Sequence, residues 1–176
     1  DGNRTLFYSA KDSIVYITAN DVLMSEFTVR RSGGSSYWEQ AGGICSASNG
    51  TIISGNLVQD NNFGIVVGNG YYTRSTKDNL VIGNVVQNNS YGIFGFMPVN
   101  DTISKNYISK NDFGIQFIGL FGNNTNTINN NLLSDNGEGI LLQAPIPLGA
   151  TADYDPPQFL QLSSISKNTI SENTLR

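Results

Sequence analysis

Ile103-Ser104-Lys105-Asn106-Tyr107-Ile108-Ser109-Lys110-Asn111-Asp112-Phe113-Gly114-Ile115 is one copy of a pattern that recurs along most of the chain. In each complete copy, an apolar residue is followed by asparagine, a second apolar residue, a second asparagine and a Gly-Ile pair, and the chain stops inside the last copy. The asparagine pairs of the copies are Asn56 and Asn61, Asn84 and Asn89, Asn106 and Asn111, Asn131 and Asn136, and Asn168 and Asn173. The first asparagines lie 28, 22, 25 and 37 residues apart, so the repeat accepts insertions of different lengths.

This repeat predicts a parallel β-helix rather than a solenoid of helices. Its apolar residues come in short clusters separated by Asn or Gly, and none recurs at the spacing of an amphipathic helix. A unit this short cannot bury its apolar face alone and must stack on its neighbours. We therefore predict an all-β, right-handed, single-stranded parallel β-helix with about six rungs and three short strands per rung.

The repeated asparagines are expected to lie at the bends between strands. Asparagine tolerates a left-handed backbone conformation, and its amide can pair with an amide in the next rung. We interpret these residues as structural ladders rather than as ligands of a bound molecule. The first ladder is Asn56, Asn84, Asn106, Asn131 and Asn168, and the second is Asn61, Asn89, Asn111, Asn136 and Asn173.

Two segments carry a resemblance to a known family. Asn49-Gly50-Thr51-Ile52-Ile53-Ser54-Gly55-Asn56 and Asn168-Thr169-Ile170-Ser171-Glu172-Asn173 resemble the parallel β-helix repeats of NosD-type proteins and of carbohydrate-binding and sugar-hydrolase-type surface proteins. The resemblance covers residues 13–176 and implies the β-helix fold in an extracellular or cell-surface protein. It does not choose among the lyases, epimerases, hydrolases and non-catalytic surface proteins that share the repeat.

Composition excludes several classes of function. The net charge is −4 without a basic cluster, so we expect no nucleic-acid partner. No apolar run reaches the roughly 18–20 residues of a membrane span. The chain has no histidine, which removes Ser-His and Cys-His catalysis and the commonest metal ligand. We therefore expect no metal or other cofactor, and the missing histidines also argue against the copper role that the name NosD suggests.

The chain forms a single domain by length, over residues 1–176. It opens on Asp1 without methionine and stops inside a copy of the repeat, so we expect a processed or trimmed segment of a longer protein. Cys45 is the only cysteine, so no internal disulfide is expected. Inserted loops are predicted at residues 33–41, 68–79, 119–126 and 143–163.

These loops hold the candidates for carbohydrate binding. Loops that leave successive rungs on one side of a solenoid usually form its working face. Aromatic rings beside amides and carboxylates suit the apolar faces and hydroxyl groups of sugars. The candidates are Tyr37, Trp38, Glu39, Tyr71, Tyr72, Arg74, Asp78 and Tyr154. The alternative for Trp38 is a packing role, in which it holds its loop against the solenoid.

The Gly-Ile strands carry an apolar column on their outer side. Water-facing sheets normally show polar residues there, so this column indicates that something covers the sheet. The cover is either the 143–163 loop or a partner subunit. The interface candidates are Tyr16, Val66, Phe94 and Leu141.

Five N-glycosylation sequons are also present, at Asn3, Asn49, Asn88, Asn100 and Asn123. In an exported protein these asparagines are candidates for glycan attachment.

These observations favour a non-catalytic extracellular structural protein from a cell envelope or filament. Its copies are predicted to associate with each other, head to tail or through the apolar sheet face. One alternative is a polysaccharide-active enzyme (a lyase, epimerase or glycoside hydrolase). The other is a carbohydrate-binding module. No catalytic residue is nominated, so the sequence leaves open whether the chain is an enzyme.

Overall fold

The structure is a computed structural model that describes residues 5–10, 13–32, 42–68, 76–119, 125–143, 164–171 and 173. None of these residues is helical, and the described part of the chain therefore contains no helix able to cross a membrane. Its strands form three parallel sheets, and each rung of the chain contributes one strand to each sheet. The prediction of an all-β parallel β-helix with three strands per rung is confirmed.

The three sheets are numbered in the order in which the chain meets them within a rung. Sheet 1 contains β2 (Val15–Ile17), β5 (Gly42–Ser46), β8 (Phe63–Val67), β11 (Tyr91–Phe96), β14 (Phe113–Ile118) and β17 (Glu138–Gln143). Sheet 2 contains β3 (Leu23–Ser25), β6 (Ile52–Ser54), β9 (Leu80–Ile82), β12 (Thr102–Ser104), β15 (Thr127–Asn129) and β18 (Ser164–Ser166). Sheet 3 contains β1 (Thr5–Ala10), β4 (Phe27–Ser32), β7 (Leu57–Gln59), β10 (Val85–Gln87), β13 (Tyr107–Ser109), β16 (Leu132–Ser134) and β19 (Thr169–Ser171).

The strand register follows the alignment of the repeats. Val81 pairs with Ile53 on one side and with Ile103 on the other. The incomplete copy near the start obeys the same register, because Val15 pairs with Ile44. Residues at equal positions of the pattern therefore stack directly above one another.

The core is the space that the three sheets enclose. Its side chains are the apolar residues at the inward positions of the repeat, and they lie in one continuous cluster. Those with no exposed surface include Ile44, Ile65, Ile93 and Ile115 on sheet 1, Ile53, Val81, Ile103 and Ile128 on sheet 2, and Val29, Val58, Val86, Ile108 and Leu133 on sheet 3. Removing this apolar surface from water is the main driving force for stacking.

The bends are made by a residue that the sequence analysis did not identify. Among the described residues, the one immediately before each ladder asparagine from Asn56 to Asn168 has a positive φ, as at Gly83 (66°), Lys105 (55°) and Lys110 (56°). The expectation that the ladder asparagines themselves adopt the left-handed conformation is wrong. A left-handed residue turns the chain and leaves its own side chain in water, so the asparagine that follows can point inward.

In two of the predicted loops, pairing with the neighbouring rung resumes before the predicted end of the loop. In the loop predicted at 68–79, Lys77 already pairs with Val99 in a parallel bridge. Asn79 is buried beside that bridge. Likewise, Asn126, at the end of the loop predicted at 119–126, is buried and bonded to the neighbouring rung. The parts of the predicted loops at 33–41, 69–75, 120–124 and 144–163 lie outside the described residues.

Candidate functional site

The two asparagine ladders are present as predicted. The Oδ1 atom of Asn106 accepts the backbone N–H of Asn84 at 2.9 Å and its Nδ2 group at 3.0 Å. The Nδ2 group of Asn106 then donates to the backbone carbonyl of Val81 at 3.0 Å. The same bonds join Asn111 to Asn89 and to the Val86 carbonyl in the second ladder.

Both polar functions of each ladder amide are therefore committed to the fold. A buried amide that gave up these bonds to a ligand would leave backbone N–H groups without an acceptor, at about 1–3 kcal/mol for each group. The ladders run from Asn56 to Asn168 and from Asn61 to Asn173 without a gap at any rung between. Their amide groups are thus engaged in the hydrogen bonds between rungs.

A third ladder, which the repeat pattern did not reveal, lies at the bend between sheet 1 and sheet 2. Its members are Thr51, Asn79, Asp101 and Asn126, all of them buried. The backbone N–H groups of the first three donate to the side-chain Oδ1 of the next member at 3.0, 2.8 and 2.9 Å. A signal was available, because each member stands two residues before the inward apolar residue of sheet 2. The residue type varies along this column, so the ladder does not show as a repeated residue in the sequence.

Asp101 is the one acid in this ladder. Its Oδ1 atom accepts the backbone N–H of Asn79 at 2.8 Å and the Asn79 Nδ2 group at 3.0 Å. Its Oδ2 atom is buried and has no hydrogen-bond partner among the described residues. Burial raises the pKa of this carboxyl group to about 7, against the lowering effect of the two Asn79 hydrogen bonds.

An aromatic column lies on the outer side of sheet 1. The rings of Phe63 and Tyr91 stack at 4.5 Å with 8° between their planes, and those of Tyr91 and Phe113 stack at 5.0 Å with 5°. Phe94 meets both Phe63 and Tyr91 edge-on. Both faces of Tyr91 are therefore covered by other rings, whereas a sugar needs an open ring face. This column is packing.

The apolar outer column of sheet 1 belongs to a second buried cluster. Cys45, Phe63, Val66 and Phe94 form it, and Tyr91, Phe96 and Ile118 pack against it. Val66 is 1% exposed and Phe94 3% exposed in a single copy of the chain, so neither offers a surface to a partner. Of the four interface candidates, Tyr16 is exposed and Leu141 is half-buried.

Seven of the eight carbohydrate-binding candidates lie outside the described residues: Tyr37, Trp38, Glu39, Tyr71, Tyr72, Arg74 and Tyr154. Asp78 is described: it is exposed, has a positive φ of 62° and lies 3.8 Å from the Lys77 ammonium group. That arrangement is a solvated bend, and the described residues bring no aromatic candidate to it.

Three of the five sequons fall on described bends. Asn88 and Asn100 are exposed, and the Oδ1 of Asn100 accepts the Thr125 hydroxyl group at 2.9 Å. Asn49 is half-buried, and its Oδ1 accepts the Lys77 backbone N–H at 3.0 Å. Asn3 and Asn123 lie outside the described residues.

Soft metal donors are few and separated. Cys45 is fully buried, and burial raises the pKa of its thiol to about 12, although a hydrogen bond with Ser13 opposes the shift. Met24 lies in the main core and Met97 is half-buried at a bend after β11. Within the described ranges, no three His, Cys, Asp or Glu side chains come together in a group that could hold a metal ion.

The comparison with protein families gives one match. The family model described as periplasmic copper-binding protein (NosD) matches residues 1–176. No curated protein and no solved structure matches the chain. The donor set does not fit the copper in that description. Copper sites in proteins use imidazole, thiolate and thioether groups, and this chain has no histidine, two methionines and a single cysteine.

Proposed function

Because the chain belongs to the NosD family, matched from residue 1 to residue 176, we propose that it is a non-catalytic β-helix protein of the cell envelope or cell surface. In this proposal it acts outside the cytoplasm as a structural element and does not carry copper. The family's description as periplasmic supports the location, and the absence of histidine supports the departure from copper binding.

The observation that carries the proposal is the use of the repeated polar residues. The Asn106 amide, like its equivalents, both accepts from the preceding rung and donates to a backbone carbonyl. The side-chain amides that the sequence repeats most often are thus used in the hydrogen bonds that hold the rungs together. This supports a protein whose regular surface and stability are its function.

The acids of the described solenoid also favour a non-catalytic role. Polysaccharide hydrolysis needs two carboxyl groups about 5–10 Å apart across a bound sugar. Asp60 and Asp135 are exposed at bends with φ of 58° and 56°, which is where a solvated turn residue lies. Glu172, which could approach Asp135 from the next rung, lies outside the described residues.

An enzyme assay tests the non-catalytic role. The purified chain is incubated with a panel of acidic and neutral polysaccharides, and unsaturated uronates are followed by absorbance and new reducing ends by titration. We expect neither product, and no retardation in affinity electrophoresis through the same polysaccharides. Turnover would overturn the proposal in favour of an enzyme, and retardation without turnover in favour of a carbohydrate-binding module.

Location has a separate test in the producing cell. Fractionation and protease treatment of intact cells should find the chain outside the cytoplasmic membrane. Recovery in the cytoplasmic fraction alone would contradict the proposal. Detection of glycan on Asn88, which is exposed at a described bend, would add support.

A further inference from the structure

The step from Asp101 to Asn126 in the third ladder lacks a bond that the amide ladders have. Where an asparagine precedes an asparagine, its backbone N–H and its Nδ2 group both donate to the next Oδ1, as from Asn84 to Asn106. Asp101 donates to the Oδ1 of Asn126 through its backbone N–H alone, at 2.9 Å. An ionised carboxylate has no side-chain donor, so it cannot supply the second bond.

The atom that takes the place of the amide nitrogen is the one without a partner. The Oδ2 atom of Asp101 is buried, and no described residue donates to it. An ionised oxygen buried without a donor is strongly disfavoured. A proton on Oδ2 would turn this atom into a hydrogen-bond donor. The Asp101 side chain would then offer one donor atom and one acceptor atom, as the amides of Asn79 and Asn126 do on the rungs before and after it.

The charged groups around Asp101 also favour its protonated form. Asp78, on the preceding rung, raises the pKa of the Asp101 carboxyl further, as burial does. Lys77 lies on the same bend but is engaged with Asp78 at 3.8 Å. Asp21, three rungs away on the same edge, is exposed. The neighbouring strands β9, β12 and β15 and the bend from Met97 to Asn100 hold no titratable side chain.

We propose that Asp101 is a proton-dependent link in the third ladder, closed onto Asn126 when its carboxyl group is protonated and loosened at this rung when the group ionises. The solenoid then has one rung whose stability responds to pH near neutrality. The bend that loosens joins sheet 1 to sheet 2 between Val99 and Thr102. This inference concerns the fold and stands whether or not the proposed envelope role is correct.

The direction of the pH effect follows from linkage. The folded state holds this proton up to about pH 7, whereas the unfolded chain releases it near about pH 4. Unfolding therefore releases a proton between these values, and a rise in pH favours the unfolded state. The folding equilibrium constant should fall by up to about tenfold per pH unit across this window and then level off.

The experiment is urea unfolding of the full chain between about pH 4 and about pH 9, on the wild type, Asp101→Asn and Asp60→Asn. In Asp101→Asn, the stability should no longer fall as the pH rises, and the variant should be more stable than the wild type above pH 7. Asp60→Asn should retain the fall in stability, because Asp60 is exposed at a bend where the next rung already has Asn88. Equal slopes in the wild type and Asp101→Asn would overturn the proposal.

A second measurement keeps the test valid if Asp101→Asn fails to fold. In the wild type labelled with ¹³C-aspartate, NMR follows the side-chain carboxyl carbon of Asp101, while hydrogen exchange follows its backbone N–H. We expect the carbon to titrate far above exposed aspartates and the protection of the N–H to drop over the same pH range. Titration of the Asp101 carbon at about pH 4, as for an ordinary aspartate, would overturn the proposal.

Discussion

The backbone N–H and the side-chain Nδ2 group of Asn106 both donate to the Oδ1 atom of Asn131, each at 3.0 Å. One oxygen thus closes the bend of the preceding rung and joins the two side chains. The same pair of bonds recurs at each step of the two asparagine ladders. In the bonds between asparagines, each one accepts from the asparagine of the rung before it and donates to that of the rung after it.

Asn106→Ala should be strongly destabilising. It removes the acceptor of two Asn84 donors and leaves them buried, so we expect a loss of about 2–4 kcal/mol in the free energy of unfolding. Asn129→Ser is the control, since Ser104 and Ser166 occupy its column in the adjacent rungs, and it should change stability by less than about 0.5 kcal/mol. Urea unfolding measures both; equal stability losses would refute a specific role for the ladder.

Gly92→Ala should disrupt the stacking of rungs by a steric mechanism. A Cβ atom at Gly92 would lie 2.5 Å from the carbonyl oxygen of Gly114 in the next rung. Backbone must move to relieve this contact, which we expect to cost about 1–3 kcal/mol.

The matched control for this change is Gly83→Asn. Gly83 has open space around it and a φ of 66°. Asn130 adopts a φ of 53° at the equivalent bend of another rung, so Gly83→Asn should be neutral within about 0.5 kcal/mol. A comparable loss of stability in Gly92→Ala and Gly83→Asn would show that the close approach of Gly92 to Gly114 is not the cause of the destabilisation.

The fold could be predicted because the sequence pattern that specifies it repeats in every rung. Features whose residue type changes from rung to rung could not be predicted. The inward column Ile53, Val81, Ile103, Ile128 always has a β-branched aliphatic residue, each three positions before a ladder asparagine, and stacking in register buries all four. The third ladder has Thr51, Asn79, Asp101 and Asn126 in equivalent places. These residue types share only a polar side chain that can bond to a neighbouring rung, so no repeated letter marks the column.

The candidate binding residues rest on composition and stay a prediction. They are aromatic rings near acids in inserted loops, and no periodicity relates one loop to another. Tyr91 shows how composition misleads: its ring is of the kind that binds sugars, yet Phe63 and Phe113 cover its faces at 4.5 and 5.0 Å. Phe63, Tyr91 and Phe113 hold the same position in successive copies of the repeat, and the register of β8, β11 and β14 brings their rings into that stack.

Tyr91→Ala should therefore lower stability and leave polysaccharide binding unchanged. Loss of two stacked contacts and of the buried part of the ring should reduce the free energy of unfolding by about 1–3 kcal/mol. Tyr107→Ala is the matched control, because Tyr107 is 39% exposed on sheet 3, and its effect should stay within about 0.5 kcal/mol. If Tyr91→Ala instead altered retardation in a polysaccharide gel without loss of stability, the aromatic column would be a binding surface.

Copper titration with calorimetry should detect no tight binding of Cu(I) or Cu(II) to the folded chain. The only thiol, Cys45, is fully buried, and its pKa of about 12 keeps it protonated at neutral pH, whereas copper binds the thiolate. The same environment predicts that a thiol reagent modifies Cys45 in urea but not in the native protein at about pH 8. Cys45→Ala should give the same copper isotherm as the wild type. Tight copper binding that Cys45→Ala abolishes would show that the thiol is accessible and would restore copper binding as a function of this chain.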